Sequence, residues 1–299
     1  MIRKSLGVCS IVAFVVSIAL AADARPPREA LSAAQIVDKN VAARGGLQAW
    51  RAVQTLSLEG KLGAGGNQRA TLALPGSGEK TKGMITPRRP AQEVELPFLM
   101  QLKRGRKMCF ELQFAGKTAI EVYDGTNGWK LRPFLNRLEV EPFSSEEVKL
   151  ASEQSDLDGY LVDYAAKGSR VEFDGLEKVE GRDSYKLKVT ERNQQTHHVW
   201  IDAETFLESK IEGQPRRLDG AEHPVEVYYR DYRTVDGLEI PFVLETRVLP
   251  LGRNALGVRD TPAPPEKIII EKVEVNPKLE ESRFQKPVIP TVSTASRGK

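Results

Sequence analysis

Arg106-Lys107-Met108-Cys109-Phe110-Glu111-Leu112-Gln113-Phe114 is followed, after Ala115-Gly116, by Lys117-Thr118-Ala119-Ile120-Glu121-Val122-Tyr123. Its apolar and polar residues alternate with the period of two that belongs to a β-strand, in which successive side chains point to opposite faces. Two strands are therefore predicted, Arg106–Phe114 and Lys117–Tyr123. Met108, Phe110, Leu112 and Phe114 share one face of the first, and Lys107, Glu111 and Gln113 share the other. The next turn, Asp124-Gly125-Thr126-Asn127-Gly128, leads into a short strand, Trp129–Arg132.

Working outward, the same pattern recurs over most of the chain. Gln54–Leu62 and Glu93–Leu102 precede this pair. Arg170–Val179, Ser184–Glu191, His197–Asp202, Leu207–Glu212, Pro224–Thr234, Ile240–Val248 and Lys267–Val275 follow it, with turn residues between them. About eleven strands are too many for one flat sheet, so the expected fold is mostly β: a curled antiparallel sheet or half-open barrel with a few covering helices. One helix is well marked, since Ser32-x-x-Gln35 is a capping-box pattern with Leu31 and Ile36 placed to form a hydrophobic staple. Ala34, Val37 and Val41 then make a narrow apolar stripe, and Gly45-Gly46 ends it. Two or three short helices are expected between Ser144 and Ala166, where Leu150, Leu157, Leu161 and Tyr164 fall at helical spacings and Gly168 gives a stop.

The two ends read differently. Arg3 and Lys4, the apolar run Val8–Leu20 and the small-x-small site Ala22-Asp23-Ala24 are the parts of a cleavable secretory signal, expected over residues 1–24. Cys9 does not suit lipidation, because Val8 precedes it and the apolar run lies mostly after it. One domain is expected over 25–283, with a Gly/Pro-rich loop from Gly252 to Pro265 and a disordered Pro/Ser/Thr-rich tail over 284–299. Once the signal is removed Cys109 is the lone cysteine, so stability must come from a core rather than from an internal disulfide.

Composition excludes some functions. The 44 basic and 41 acidic residues nearly cancel, which gives no electrostatic case for nucleic acid. The motif of a serine-nucleophile elbow is absent, as are phosphate-loop and dinucleotide fingerprints. His197 and His198 are neighbours on a strand and point to opposite faces, so they cannot share a metal, and His223 has no recognisable ligand spacing around it. Asp124, Asp202 and Asp231 are expected at strand ends, where turn formation explains them. No catalytic residue, metal or cofactor is expected, and the protein is read as no enzyme.

The apolar alternation points instead to binding. Ile120 and Val122 are expected to continue the face of Met108, Phe110, Leu112 and Phe114, with Trp129 and Leu131 on the following strand and Leu96, Phe98 and Met100 on the preceding one. Alternation alone does not distinguish a solid core from a ligand wall. The wall is favoured because aromatics are only 7% of the chain, too few to fill a long curled sheet. The methionines Met100 and Met108 suit a surface that adapts to flexible chains. The lipid-binding set is thus Met100, Met108, Phe110, Leu112, Phe114, Ile120, Val122, Trp129 and Leu131.

Lys103-Arg104-Gly105-Arg106-Lys107-Met108, Val122-Tyr123-Asp124-Gly125, Gly128-Trp129 and Arg132-Pro133-Phe134 resemble the periplasmic outer-membrane lipoprotein-sorting carriers of the LolA-like family. Val199-Trp200-Ile201-Asp202-Ala203-Glu204-Thr205-Phe206, Tyr229-Arg230-Asp231-Tyr232 and Asp236-Gly237-Leu238-Glu239-Ile240-Pro241 resemble the closing half of the same superfamily. The resemblance implies a half-open β-barrel with a helical lid, whose oily interior shields the acyl chains of a lipoprotein or lipid between membranes. It also implies inner- and outer-membrane receptors as partners, a monomer, and an arginine that holds the lid, for which Arg104 and Arg106 are the candidates. A sensor or interaction module of the same fold and an enzyme with a loop-built site are the alternatives.

Overall fold

The computed structural model describes residues 31–64, 93–133, 137–218, 221–252 and 262–288. The signal segment, most of the Gly252–Pro265 loop and the tail from residue 289 lie outside the described residues. The chain from Ser32 onward makes one compact unit.

Thirteen strands among the described residues form a single antiparallel sheet. In chain order they are β1 (Thr55–Ala64), β2 (Val94–Lys103), β3 (Lys107–Phe114), β4 (Lys117–Tyr123), β5 (Gly128–Arg132), β6 (Arg137–Pro142), β7 (Arg170–Val179), β8 (Arg182–Thr190), β9 (Thr196–Asp202), β10 (Glu208–Leu218), β11 (Ala221–Val235), β12 (Leu238–Val248) and β13 (Glu266–Val275). Each strand pairs with its neighbour in sequence, except that β1 and β13 pair with each other in the middle and β6 and β7 are left as the two edges. The sheet is therefore an open meander rather than a closed barrel. The expected strands are all present, and β6 adds one that the sequence reading left out.

Register decides which residues share a face, because directly paired residues of an antiparallel sheet point the same way. One face runs Phe110–Met100–Leu58–Val273 across β3, β2, β1 and β13. It continues through Ile268, Leu244 and Tyr229 into β11, and through Val227, Ile211, Val199, Leu187 and Phe173 to β7. Helices lie over this face. The first, α1 (Ala33–Ala43), begins as the sequence predicts: Gln35 N–H donates to Ser32 Oγ at 3.3 Å and Ser32 N–H to Gln35 Oε1 at 2.8 Å. Its buried stripe is Ile36, Val37, Asn40 and Val41, so Ala34, expected on that stripe, is instead exposed. Gly45 stops it with φ 111°, and a Cβ there would sit 2.3 Å from the Gly237 carbonyl oxygen. A glycine is needed both for the left-handed conformation and for that approach. A second short helix, α2 (Leu47–Ala52), was not foreseen; it buries Trp50.

Between the two edge strands runs α3 (Ser145–Gln154), capped by a second box, Ser144 with Glu147. Only this one regular helix forms where two or three were expected. Leu157–Gly168 is a run of turns, with Gly159, Asp163 and Gly168 at positive φ. Leu157 and Leu161 are buried within it, while Leu150 on α3 is exposed.

The opposite face is built in two ways. Over β3 to β5 it is apolar, and the segment after β13 closes it: Phe284, in a 3₁₀ turn at Glu281–Phe284, packs with Cys109 and Val122 and is 1% exposed. Phe284 thus belongs to the core and not to the tail assigned to 284–299. Glu281 pairs with Lys103 and Lys107, and Arg283 with Glu111 at 2.7 Å, so charged contacts rim the apolar patch. Burial of Cys109 pushes its thiol up to about 11, which leaves it protonated at neutral pH.

Over β8 to β12 the same face is a lattice of charges and rings. The Lys210 ammonium lies 3.9 Å from the Trp200 ring centroid and pairs with Glu226 at 2.6 Å, and Arg247 lies 4.1 Å from the Tyr228 ring. Arg230 carries Glu180 down to about 2, against some burial and with help from Arg247. Asp202 reaches about 2 as well: burial opposes its charge, but Arg182 and the N–H groups of Thr205 and Glu204 outweigh that. Both acids bind protons less readily folded than unfolded. Their contribution is complete above the ordinary carboxylate range of about 4 and is lost as pH falls through the folded values. The urea midpoint is expected to hold steady down to about pH 5 and to fall between about pH 4 and 2, with Glu180→Gln removing part of that fall.

Candidate ligand-binding face

The lipid-binding set read from sequence divides between the two faces. Met108, Phe110 and Leu112 pair directly with Leu102, Met100 and Phe98, so Met100 belongs to the helix-covered face. Phe110 and Phe98 stack there with ring centroids 5.9 Å apart. Across β4, however, Phe110 pairs with Glu121 and Leu112 with Ala119, whereas Cys109 pairs with Val122 and Glu111 with Ile120. Trp129 pairs with Val122 and Leu131 with Ile120. Ile120, Val122, Trp129 and Leu131 therefore lie on the opposite face from Met108, Phe110, Leu112 and Phe114, contrary to the expectation that they continue it. Ile120, Val122 and Trp129 lie in the cluster that Phe284 and Leu279 close. The cause is the turn at Ala115-Gly116, which sets the register by one residue, and a shift of one residue exchanges the faces.

Exposure along β3 is graded on the helix-covered face. Met108 is 2% exposed, Phe110 and Leu112 are half-buried, and Phe114 is 36% exposed. Met100 on β2, Leu62 on β1, Ile268 on β13, Leu244 on β12 and Ile211 on β10 are half-buried on the same face. Toward the Phe114 end the burial is uneven: Phe98, paired with Leu112, is 8% exposed, while Leu112 and Phe110 are half-buried. These further leucines and isoleucines were missed as site candidates although β1 shows its own alternation, Leu56, Leu58 and Leu62.

Both candidate arginines fasten the cover. Arg104 forks onto Asp158 at 2.9 and 3.0 Å and donates to the carbonyl oxygens of Trp50 at 2.8 Å and Val53 at 2.7 Å. One guanidinium thus joins the Leu157–Gly168 segment to α2. Arg106 reaches Ser152 Oγ at 3.1 Å and Asp156 at 3.5 Å. Further attachments had no sequence motif. Arg51 forks onto Asp163 at 2.8 and 2.6 Å, and Arg44 joins Glu208 and the Asp158 carbonyl, each at 3.2 Å. Lys130 binds both Glu147 oxygens at 2.6 Å, and Arg132 bridges Glu147 and Glu121 at 3.3 and 3.2 Å. The Phe143 ring lies on Gly128, where any Cβ would collide with it, and this seats the start of α3 on the sheet.

The histidines separate as a strand requires. His197 bonds Glu191 at 2.7 Å and stacks on Tyr160 of the cover, while His198 on the other face meets Glu212 at 2.8 Å. Asp124 and Asp202 accept backbone N–H groups in their turns, but Asp231, expected at a strand end, sits within β11 at φ 53°. Two cavities, of 390 and 480 Å³, lie at the α1–cover seam and at the ends of β9 to β11, and neither is lined by the nine residues of the lipid-binding set. No helix among the described residues is long and apolar enough to cross a membrane.

No protein-family model and no curated protein matches the sequence. Among solved structures the chain is similar to a LolA superfamily protein from Nitrosomonas europaea, at 13% identity over 86% of this chain and 99% of that one, with TM-score 0.49. It is similar to an outer membrane lipoprotein-sorting protein domain from Vibrio parahaemolyticus at 13% identity, over 84% and 95% of the two chains, with TM-score 0.47. A DUF1329 family protein from Desulfovibrio piger is 12% identical over 85% and 97%, with TM-score 0.48. The first two bear the name of the family that the sequence motifs resemble. Likeness of this size concerns the path of the chain alone and gives no residue a role.

Proposed function

We propose that this protein is a periplasmic carrier that holds the acyl chains of a lipid or lipoprotein against the helix-covered face of its sheet, by binding and not by catalysis. The observation that carries this reading is the graded exposure of that face, from Met108 at 2% to Phe114 at 36%, with Phe110, Leu112, Met100, Leu62 and Leu244 half-buried between. A solid core would bury these side chains outright. An apolar surface left partly uncovered favours a hydrocarbon occupant, at about 0.8 kcal/mol for each CH₂ taken out of water. The cover that borders it is attached by ion pairs and hydrogen bonds beside the buried Leu157, Leu161 and Val162, and the polar contacts can break and reform. That suits a protein that must both hold and release.

Native mass spectrometry of chain purified from the periplasm without detergent tests the reading. Co-purifying acyl species, lost when the protein is passed over acceptor membranes, are the expected result. A protein that is always empty and instead bound to a polypeptide partner would overturn carriage in favour of a sensing module.

A further inference from the structure

Between β9 and β10 the sheet comes apart. The two strands pair only where Glu208, Lys210 and Ile211 meet Ile201, Trp200 and Val199. Beyond Ile211 and Val199 each keeps its outer neighbour, β8 for His198 to Thr196 and β11 for Glu212 and Gly213, but the two no longer pair with each other. A backbone group left over there needs another partner, and one has found a side chain: the His198 N–H donates to Glu212 Oε2 at 2.9 Å, where an unbroken ladder would offer it a strand carbonyl. The gap that opens past this contact is the 480 Å³ cavity. Thr196 and His197 line it from β9, Glu212 and Gln214 from β10, and Glu222 and Val225 from β11. Its walls differ by face. Register sets Glu212 and Glu222 with Glu226 on the face away from the cover, whereas His197 and Val225 lie with Val199 and Val227 on the covered one. Among the described residues that line the cavity, none is a lysine or an arginine.

We propose that this cleft binds a short extended peptide in which basic and apolar residues alternate, taken in as an added strand between β9 and β10. The backbone of such a segment supplies the pairing that the two strands have stopped giving each other. Its side chains point alternately to the two faces of the sheet, so the basic ones meet Glu212 and Glu222 while the apolar ones meet Val225 and the His197 ring. A simple cation would answer the carboxylates alone and leave the strand groups as they are. The volume lies within the ~300–1,000 Å³ of ligand pockets, which suits a few residues and not a long strand. The proposal does not depend on the carrier reading, because the nine residues of the lipid-binding set are all elsewhere.

The test is fluorescence anisotropy with the full chain and three labelled hexapeptides with blocked ends. The first alternates lysine and valine, the second carries the same residues in two blocks, and the third has glutamate in place of lysine. Wild type is expected to bind the alternating peptide at least about tenfold more tightly than either of the others. Glu222→Lys and Thr196→Lys, each at an exposed position lining the cavity, bring a cation of the protein's own into the cleft. Each is expected to weaken that binding at least about tenfold with an unchanged unfolding midpoint. Should one variant fold poorly, the other decides. The proposal is overturned if wild type does not bind the alternating peptide, if it binds the block peptide equally well, or if both lysine variants bind like wild type. Displacement of the bound peptide by an equal concentration of spermidine also overturns it, since the cleft would then hold a cation without pairing a strand. None of these results bears on acyl binding, which stands or falls on its own test.

Discussion

Phe110→Lys will fold as the wild type does and lose acyl binding, while Phe284→Ala will retain the binding face and lose most of its stability. The two phenylalanines lie on opposite sides of the same few strands. Phe110 is half-buried and pairs directly across the sheet with Glu121, which gives a lysine at that position a carboxylate to meet. A charged head on the apolar path then removes contact with several CH₂ groups at about 0.8 kcal/mol each, so affinity for an acyl probe should fall at least about a hundredfold. Phe284 is 1% exposed against Cys109 and Val122, and a phenylalanine-to-alanine change in such a place costs about 3–5 kcal/mol. Its loss also uncovers the Cys109 thiol, so reaction with a thiol reagent under native conditions should accelerate together with the drop in urea midpoint. The assignment of faces fails if Phe110→Lys binds like wild type, or if Phe284→Ala leaves both the midpoint and the thiol unchanged.

That contrast marks where the sequence was legible and where it was not. Alternation within one strand is a local property, so Met108, Phe110, Leu112 and Phe114 were correctly placed together. Whether the next strand's apolar residues join them depends on the register across Ala115-Gly116, where one residue exchanges Val122 for Tyr123. Val122 and Ile120 look identical on either face until the partner is known. Their actual partner, Phe284, lies far along the chain, beyond any pattern of spacing. The first helix start was readable because a capping box is local, at Ser32, while the like box of Ser144 with Glu147 was not read from the sequence. The segment after α3 was not readable, because Leu157 and Leu161 are held in place by Arg104 and Arg51 acting from outside on Asp158 and Asp163, and by Lys167 of the segment itself turning back onto Asp156. Leucine at helical spacing then no longer implies a helix. The basic run Lys103–Lys107 was read only as a strand start carrying a lid arginine by resemblance. In the fold its four cations divide two and two, Lys103 and Lys107 holding the turn at Glu281, and Arg104 and Arg106 the cover.

That division gives the two arginines unequal weight. Arg104→Ala removes a forked contact with Asp158 and two hydrogen bonds to backbone carbonyls, whereas Arg106→Ala removes two longer contacts from a side chain about half exposed. Hydrogen bonds to a charged group are worth about 1.5–3 kcal/mol net each, a value to be discounted here because a third of the Arg104 side chain meets solvent. The opening of Leu157–Gly168 should therefore rise roughly tenfold to a hundredfold in Arg104→Ala and by no more than about threefold in Arg106→Ala. Hydrogen exchange at the amides of Lys167, Gly168 and Ser169, which bond within this segment, reads that opening directly. Arg104→Lys keeps the charge but not the planar fork, and should behave nearly as the alanine variant does. Molar salt should reproduce the Arg106 effect, because it screens an exposed pair, and should reproduce little of the Arg104 effect, because salt leaves the carbonyl hydrogen bonds in place. If the two alanine variants exchange alike, the cover is held by packing around Leu161 and not by this guanidinium, and release of a bound chain would then have to be driven by something other than its loss.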